Sequence, residues 1–313
     1  MRRASAKHGG RREYKIVKPS PTDLAIRAAP LTFVFLWSTG FIGAKFGMPY
    51  AEPMTFLTLR MALVVAILAL IVAVVRPRWP VGLEAAHSTV AGLLVHGLYL
   101  GGVFVAIGQG VPAGIAALIP GLQPILTSTI ASRFLGERVT PLQWFGLAMG
   151  LIGVLLVLHD LTIIGKGSIL GWIASFMSLI GITLGTLYQK RFCGPIDWRT
   201  GNLIQFAACT ILFGVAAWIF ETLHVVWSGE FIFALFWLVV VLSILTIALM
   251  YWLIKRIPAT RVASLFYLVP ATTAVLAWLL FNERLDALSI SGIVLCAAAV
   301  FIVNYRKGVS VSS

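Results

Sequence analysis

Long apolar stretches, broken by short polar punctuation, run through most of the chain. A helix that crosses a bilayer needs about 20 mostly apolar residues. Segments of that kind fall near 28–46, 54–75, 86–107, 112–134 and 141–158, and again near 168–189, 200–220, 231–253, 259–281 and 287–304. The pattern predicts an all-α integral membrane fold with ten transmembrane helices. The connections are short and carry Pro, Gly or charge, as in Arg76-Pro77-Arg78 and Cys193-Gly194-Pro195. Residues 1–27 are basic and poor in apolar side chains, which predicts a disordered tail, and residues 306–313 form a second tail. The first apolar run follows a long basic stretch and has no convincing small-residue cleavage site after it, so no signal peptide is expected.

Composition sharpens this picture. Of 313 residues, 59% are hydrophobic and 11% charged, against about 25% charged in a soluble globular chain. Too little polar surface remains to face water all round, so lipid is expected to cover part of the protein. The net charge of +13 raises the question of nucleic acid, but the charges sit in the tail and in short loops, so no nucleic-acid partner is expected. The tail holds Arg2, Arg3, Lys7, Arg11, Arg12, Lys15, Lys18 and Arg27. Alternate loops hold Arg76, Arg78, Arg133, Arg138, Lys190, Arg191, Arg199, Lys255, Arg256 and Arg261, while the others hold only Lys45, Lys166 and Arg284. By the bias of Lys and Arg toward the cytoplasm, both termini are expected to be cytoplasmic, in a bacterial inner membrane. Cys193, Cys209 and Cys296 have no metal spacing and suggest no disulfide framework.

The chain also repeats itself. Pro112-Ala113, Pro124, Glu137-Arg138 and Gly146 recur as Pro258-Ala259, Pro270, Glu283-Arg284 and Gly292, each 146 positions on and without a gap. The expected halves are 28–158 and 159–305. An odd number of spans per half inverts the second half relative to the first, a recurring plan of secondary transporters. With these paired segments and Gly-rich fifth and tenth spans, the chain resembles the EamA-type drug/metabolite transporters over nearly everything after the tail. Within that superfamily it looks most like the YddG-type bacterial exporters of aromatic and other neutral amino acids. The resemblance implies a central cavity lined mainly by spans 1, 3, 4, 6, 8 and 9, with spans 5 and 10 peripheral.

Polar groups at membrane depth are costly and usually turned inward, so they are the first candidates for a substrate path. His96 and Tyr99 share a face of span 3 with Gly92 and Val103. Either they line a cavity or they tie helices together. Gln123 and Thr127 share a stripe of span 4 with Pro120. Pro120, Pro124 and Pro270 each remove a helix hydrogen bond and are candidate hinges or packing kinks; Tyr267 and Thr273 lie close to the last. Trp37 and Phe41 share a face of span 1 with Gly40, an aromatic lining or a packing surface. Ser178, with Ser175, Thr183 and Thr186, lines the path or lets helices approach closely. Tyr251 is a candidate for the inner gate. Arg60 lies about 10 Å into span 2. It can hold a substrate carboxylate in a fork, or snorkel to the outer surface, which the resemblance favours.

All eleven acidic residues lie in the tail, loops or span ends. A mid-membrane carboxylate is the usual proton relay, so transport without proton coupling is expected, with His96 as the remaining route for a proton. The chain lacks a P-loop, a His-Glu-x-x-His motif and paired metal ligands. It is therefore expected to be neither an enzyme nor the holder of a cofactor or metal. The sequence predicts an exporter or facilitator of neutral, mainly aromatic and apolar amino acids, working as a monomer in lipid by alternating access. The alternative is a drug or metabolite carrier for another small solute, with proton coupling.

Overall fold

The computed structural model describes residues 21–111, 113–134, 140–157, 167–254, 256, 262, 264–281 and 286–304. The expectations placed on residues 1–20 and 306–313, and on the Glu137-Arg138 and Glu283-Arg284 pairs, lie outside these residues. Helices make up the described architecture: α1 (Pro21–Gly47), α2 (Pro53–Val75), α3 (Leu83–Gly92, Leu93–Leu100 and Gly101–Gly108 in continuous succession), α4 (Ala113–Gly121, then Gln123–Phe134), α5 (Pro141–Val157), α6 (Ile169–Phe192), α7 (Trp198–Phe220), α8 (Gly229–Phe236, Trp237–Thr246 and Ile247–Ile254, also continuous), α9 (Leu268–Phe281) and α10 (Ala287–Asn304). Helix α1 starts at Pro21, seven residues ahead of the expected Ala28. Proline suits a first helical position because that N–H has no helical partner.

Among the described residues, six helices are long and apolar enough to cross a membrane: α1 from Ala28, α2, α3, α6, α7 and α8 to Leu253. Four shorter apolar helices, in α4, α5, α9 and α10, accompany them. Starts are set by local chemistry. Ser168, Asp197 and Ser228 accept hydrogen bonds from Gly171, Arg199 and Phe231 at the starts of α6, α7 and α8, satisfying N–H groups that lack a helical partner. Large apolar side chains such as Val74, Ile169, Trp218 and Phe220 face outward. Patches of this extent belong against lipid rather than water.

The 146-residue offset reappears in the folding itself. In Leu93–Leu100 and Trp237–Thr246 the backbone is a π-helix, and the offset carries the first segment onto residues 239–246, inside the second. Helix α4 breaks at Leu122, between Pro120 and Pro124. Helix α9 begins only after a turn in which Tyr267 and Val269 bond back to Ser264 and Phe266, which leaves Pro270 in its first turn, where no donor is missed. An added Cβ on Gly121 would lie 3.0 Å from the Pro270 ring, so the two breaks face each other. Helices α5 and α10 pack along their length, as do α2 and α7. Tyr267, in the turn that leads into α9, ties it to α5 through a 2.9 Å bond to the Leu147 carbonyl.

Glycine decides how α3 and α6 meet. A Cβ at Gly181 would stand 2.6 Å from the Tyr99 nitrogen, one at Gly185 2.5 Å from Val95, and one at Gly102 2.5 Å from the Ala174 carbonyl. The two helices touch backbone to backbone, and no space remains between them.

Candidate functional site

A cavity lies at mid-length of the bundle, where α1, α2, α3, α7 and α8 converge. Its wall is apolar and aromatic, with Trp37, Phe41, Tyr99, Phe104 and Phe206 among its residues, and Arg60, His96 and Ser243 as its other polar members. Water centres can occupy about 50 Å³ of it, room for a few waters at roughly 10–15 Å³ each.

Arg60 enters from α2 and is only 6% exposed. Its Nε and Nη2 donate to Ser243 Oγ at 3.2 and 3.0 Å. Ser243 in turn donates to the Leu238 carbonyl at 3.0 Å, five residues back. In an α-helix a serine reaches the carbonyl three or four residues back; the π-helical turn moves the partner and fixes this hydroxyl beneath the guanidinium. Among the described residues no carboxylate pairs with Arg60. Across the cavity, Trp37 Nε1 donates to Tyr99 Oη at 3.3 Å with the two rings stacked. The His96 ring lies on Phe206, with centroids 4.3 Å apart and planes 22° apart.

Aromatic clusters bracket the cavity. Toward one end of the bundle, Phe56 packs on Phe104 and Phe231, with centroids 5.4 and 5.1 Å away. Toward the other, Trp37 packs on Phe33 and Phe266 at 5.3 and 5.1 Å. Beyond Phe56 the 47–53 and 221–228 segments are tied together. Glu221 accepts from the Met54 and Thr55 nitrogens and from Thr55 Oγ1 at 2.6–2.7 Å. Glu52 accepts from the Thr222 nitrogen and hydroxyl at 2.7 and 2.6 Å, and Val226 donates to the Tyr50 carbonyl at 2.8 Å. The Thr222 bonds hold the Glu52 carboxyl below its ordinary value. Past the opposite cluster, Gln189 donates to the Tyr251 hydroxyl, with Asn202 and Gln205 beside the same phenol.

Trp37, Phe41, His96 and Tyr99 are thus brought together in the cavity wall, and Arg60 joins them instead of reaching an outer surface. The other candidates lie elsewhere. Gln123 donates to Thr186 at 3.1 Å, Ser178 bonds its own helix at the Ser175 carbonyl, and Tyr267 joins α9 to α5. Thr127 and Thr273 are buried with no hydrogen-bond partner among the described residues, Pro270 packs against Gly121 where α4 meets α9, and Tyr251 sits in the polar cluster at one end. The described cavity draws on α2 and α7 beside α1, α3 and α8, and the walls the resemblance implied from spans 4, 6 and 9 are not among its lining residues.

Comparison with known proteins agrees with this architecture. The EamA-like transporter family profile matches twice, over residues 26–159 and 167–305. The chain belongs to the EamA-like transporter family. It is a multi-pass membrane transporter, not an enzyme. Among the relatives of this EamA chain is the "Probable amino-acid metabolite efflux pump" of Escherichia coli strain K12, 28% identical across 90% of this chain and 97% of that protein. Another is the "Uncharacterized transporter YvbV" of Bacillus subtilis strain 168, 25% identical across 88% and 90%. A solved structure titled "Crystal structure of protein" superposes with a TM-score of 0.69 at 21% identity, covering 88% of this chain and 95% of that one; this supports the fold alone.

Several wall residues of this EamA transporter, Ser243 and Phe206 among them, were not singled out from sequence. Ser243 carries a faint signal, a hydroxyl in the middle of the apolar run 238–253. Phe206 carries none, being one of 19 phenylalanines.

Proposed function

We propose that this protein is a secondary transporter that moves neutral amino acids, aromatic and apolar ones above all, out across the inner membrane. It works as a monomer of ten spans in two inverted halves, and without proton coupling. The observation that carries the reading is a mid-depth cavity whose wall is mainly aromatic and aliphatic, with one cation and, among the described residues, no carboxylate. An apolar wall suits an apolar side chain, and Arg60 suits a carboxylate. The name of the Escherichia coli relative supports an amino-acid metabolite.

In this reading both termini are cytoplasmic, and the Glu52–Glu221 end faces outward. A substrate larger than a few waters enters when one bracketing aromatic cluster parts. The paired breaks at Pro120–Pro124 and before Pro270 act as hinges, and Tyr251 with Gln189 closes the inner side. Gln123, Thr127, Ser178, Tyr267 and Thr273 border the path in other stages of the cycle. A proton-coupled carrier would have to work through His96, the titratable imidazole in this wall.

The test is counterflow in liposomes. Purified protein, preloaded with unlabelled phenylalanine, should accumulate labelled phenylalanine and methionine saturably. If no neutral amino acid exchanges, the amino-acid assignment is wrong and another metabolite must be sought.

A further inference from the structure

We infer that the cavity reads the substrate's carboxylate and not its ammonium, so that monocarboxylates lacking an α-amino group, such as the 2-hydroxy acids matching apolar amino acids, travel the same path. The inference rests on the proposed transport site and extends its substrate class.

Arg60 is the starting point. A guanidinium buried at membrane depth is costly unless an anion or a set of acceptors compensates it. Among the described residues its acceptor is Ser243 Oγ, shared by Nε and Nη2. A guanidinium has five N–H donors in a fixed fork, so hydrogens remain for a ligand. Ser243 itself cannot add a donor, because its proton is committed to the Leu238 carbonyl. Its role is to fix the plane of the fork. A carboxylate in the cavity would accept the free N–H groups and neutralise the charge.

An ammonium finds nothing comparable. The described wall holds no carboxylate. Of its hydroxyl oxygens, Ser243 already accepts two bonds from Arg60, and Tyr99 one from the Trp37 indole N–H. Two of the aromatic rings that could attract a cation are also engaged. Trp37 is packed by Tyr99, Phe33 and Phe266, and Phe206 is covered by His96. An α-ammonium would therefore stand beside a like charge with no anionic partner in the described wall. Removing it should leave recognition intact, whereas removing the carboxylate should abolish it.

The test uses the full chain in proteoliposomes, with exchange of labelled phenylalanine as the readout. Three competitors are compared: 3-phenyllactate (carboxylate, no ammonium), phenethylamine and phenylalaninamide (ammonium, no carboxylate). Phenyllactate should compete within about threefold of phenylalanine, and labelled phenyllactate should itself enter saturably with the membrane potential clamped. The two amines should compete at least about thirtyfold more weakly. Arg60→Gln should weaken phenylalanine and phenyllactate alike, and Arg60→Lys should recover part of both, with melting in detergent confirming that each variant folds. Phenylalanine exchange that phenyllactate does not inhibit would overturn the inference while leaving the transport assignment standing, as would amines that compete as well as acids. Exchange of phenyllactate without phenylalanine would uphold carboxylate reading and refute the amino-acid assignment. Silence from every probe would refute both.

Discussion

Glu221→Ala removes a cap that one helix lends to another. The first N–H groups of a helix have no internal partner, and at α2 the residue in the capping position, Glu52, makes no side-chain bond to its own helix. Glu221, at the end of α7, supplies the acceptors instead, at 2.7 Å from the Met54 nitrogen and 2.6 Å from the Thr55 nitrogen. Loss of a cap costs about 0.5–2 kcal/mol, and loss of a negative charge at a helix start about 0.3–1 kcal/mol more. Together these give about 1–3 kcal/mol, a factor of roughly 5–150 in an equilibrium at about 1.4 kcal/mol per tenfold. If this end opens during transport, that energy comes off the closed side. Spin labels at Pro49→Cys and Val226→Cys should report a single short distance in the parent protein and a second, longer population in Glu221→Ala, with Glu221→Gln between them. An unchanged distance distribution together with an unchanged melting temperature would refute the reasoning, because the bonds would then hold nothing together.

Other predictions follow from single contacts. The Glu52 carboxyl is held below its ordinary value of 4.5 by the Thr222 nitrogen and hydroxyl, and secondarily by His224. Its contribution to the tied 47–53 and 221–228 segments is therefore full at neutral pH and lost as pH falls through that depressed value; the same spin-label pair should separate on acidification, and Glu52→Gln should remove the carboxylate part of that response. Gly181→Val sets a side chain against the Tyr99 nitrogen and the Leu94 carbonyl, backbone atoms that cannot swing aside, so it should cost about 1–3 kcal/mol or more in detergent melts. Gly214→Ala, whose added carbon meets only Thr58 at 3.6 Å, should melt like the parent. Burial pushes the Cys193 thiol up to about 11. Only about one molecule in ten thousand is then thiolate at neutral pH, the form that reacts, so maleimide should label it far more slowly than an exposed cysteine added at Trp79.

The sequence carried the membrane class, the apolar segments and the doubling of the chain, because lipid demands long apolar runs and the 146-residue offset preserved Pro and Gly. Trp37, Phe41, His96 and Tyr99 were legible as a set because helical spacing puts each pair on one face. The same logic could not separate a wall residue from a tie. Tyr267 has the chemistry of Tyr99, yet it spends its hydroxyl on the Leu147 carbonyl. Arg60 looked free to snorkel, since nothing in span 2 reveals that α8 passes beside it. Ser243 depends on a π-helical turn, and the residues of 237–246 do not announce one by composition. The close packing of α6 on α3 depends on Gly181 and Gly185, a pairing that only the folded chain discloses.

The central claim, that solute passes through the cavity between α1, α3 and α8, is tested most directly at Gly40. This wall residue has room for a Cβ, 3.4 Å from Leu242, and Gly40→Leu adds four carbons to a space of about 50 Å³. The account predicts that phenylalanine exchange in proteoliposomes falls to the level of empty vesicles while Gly40→Ala stays active and both variants melt like the parent. Undiminished exchange through Gly40→Leu would mean that the path lies elsewhere in the bundle.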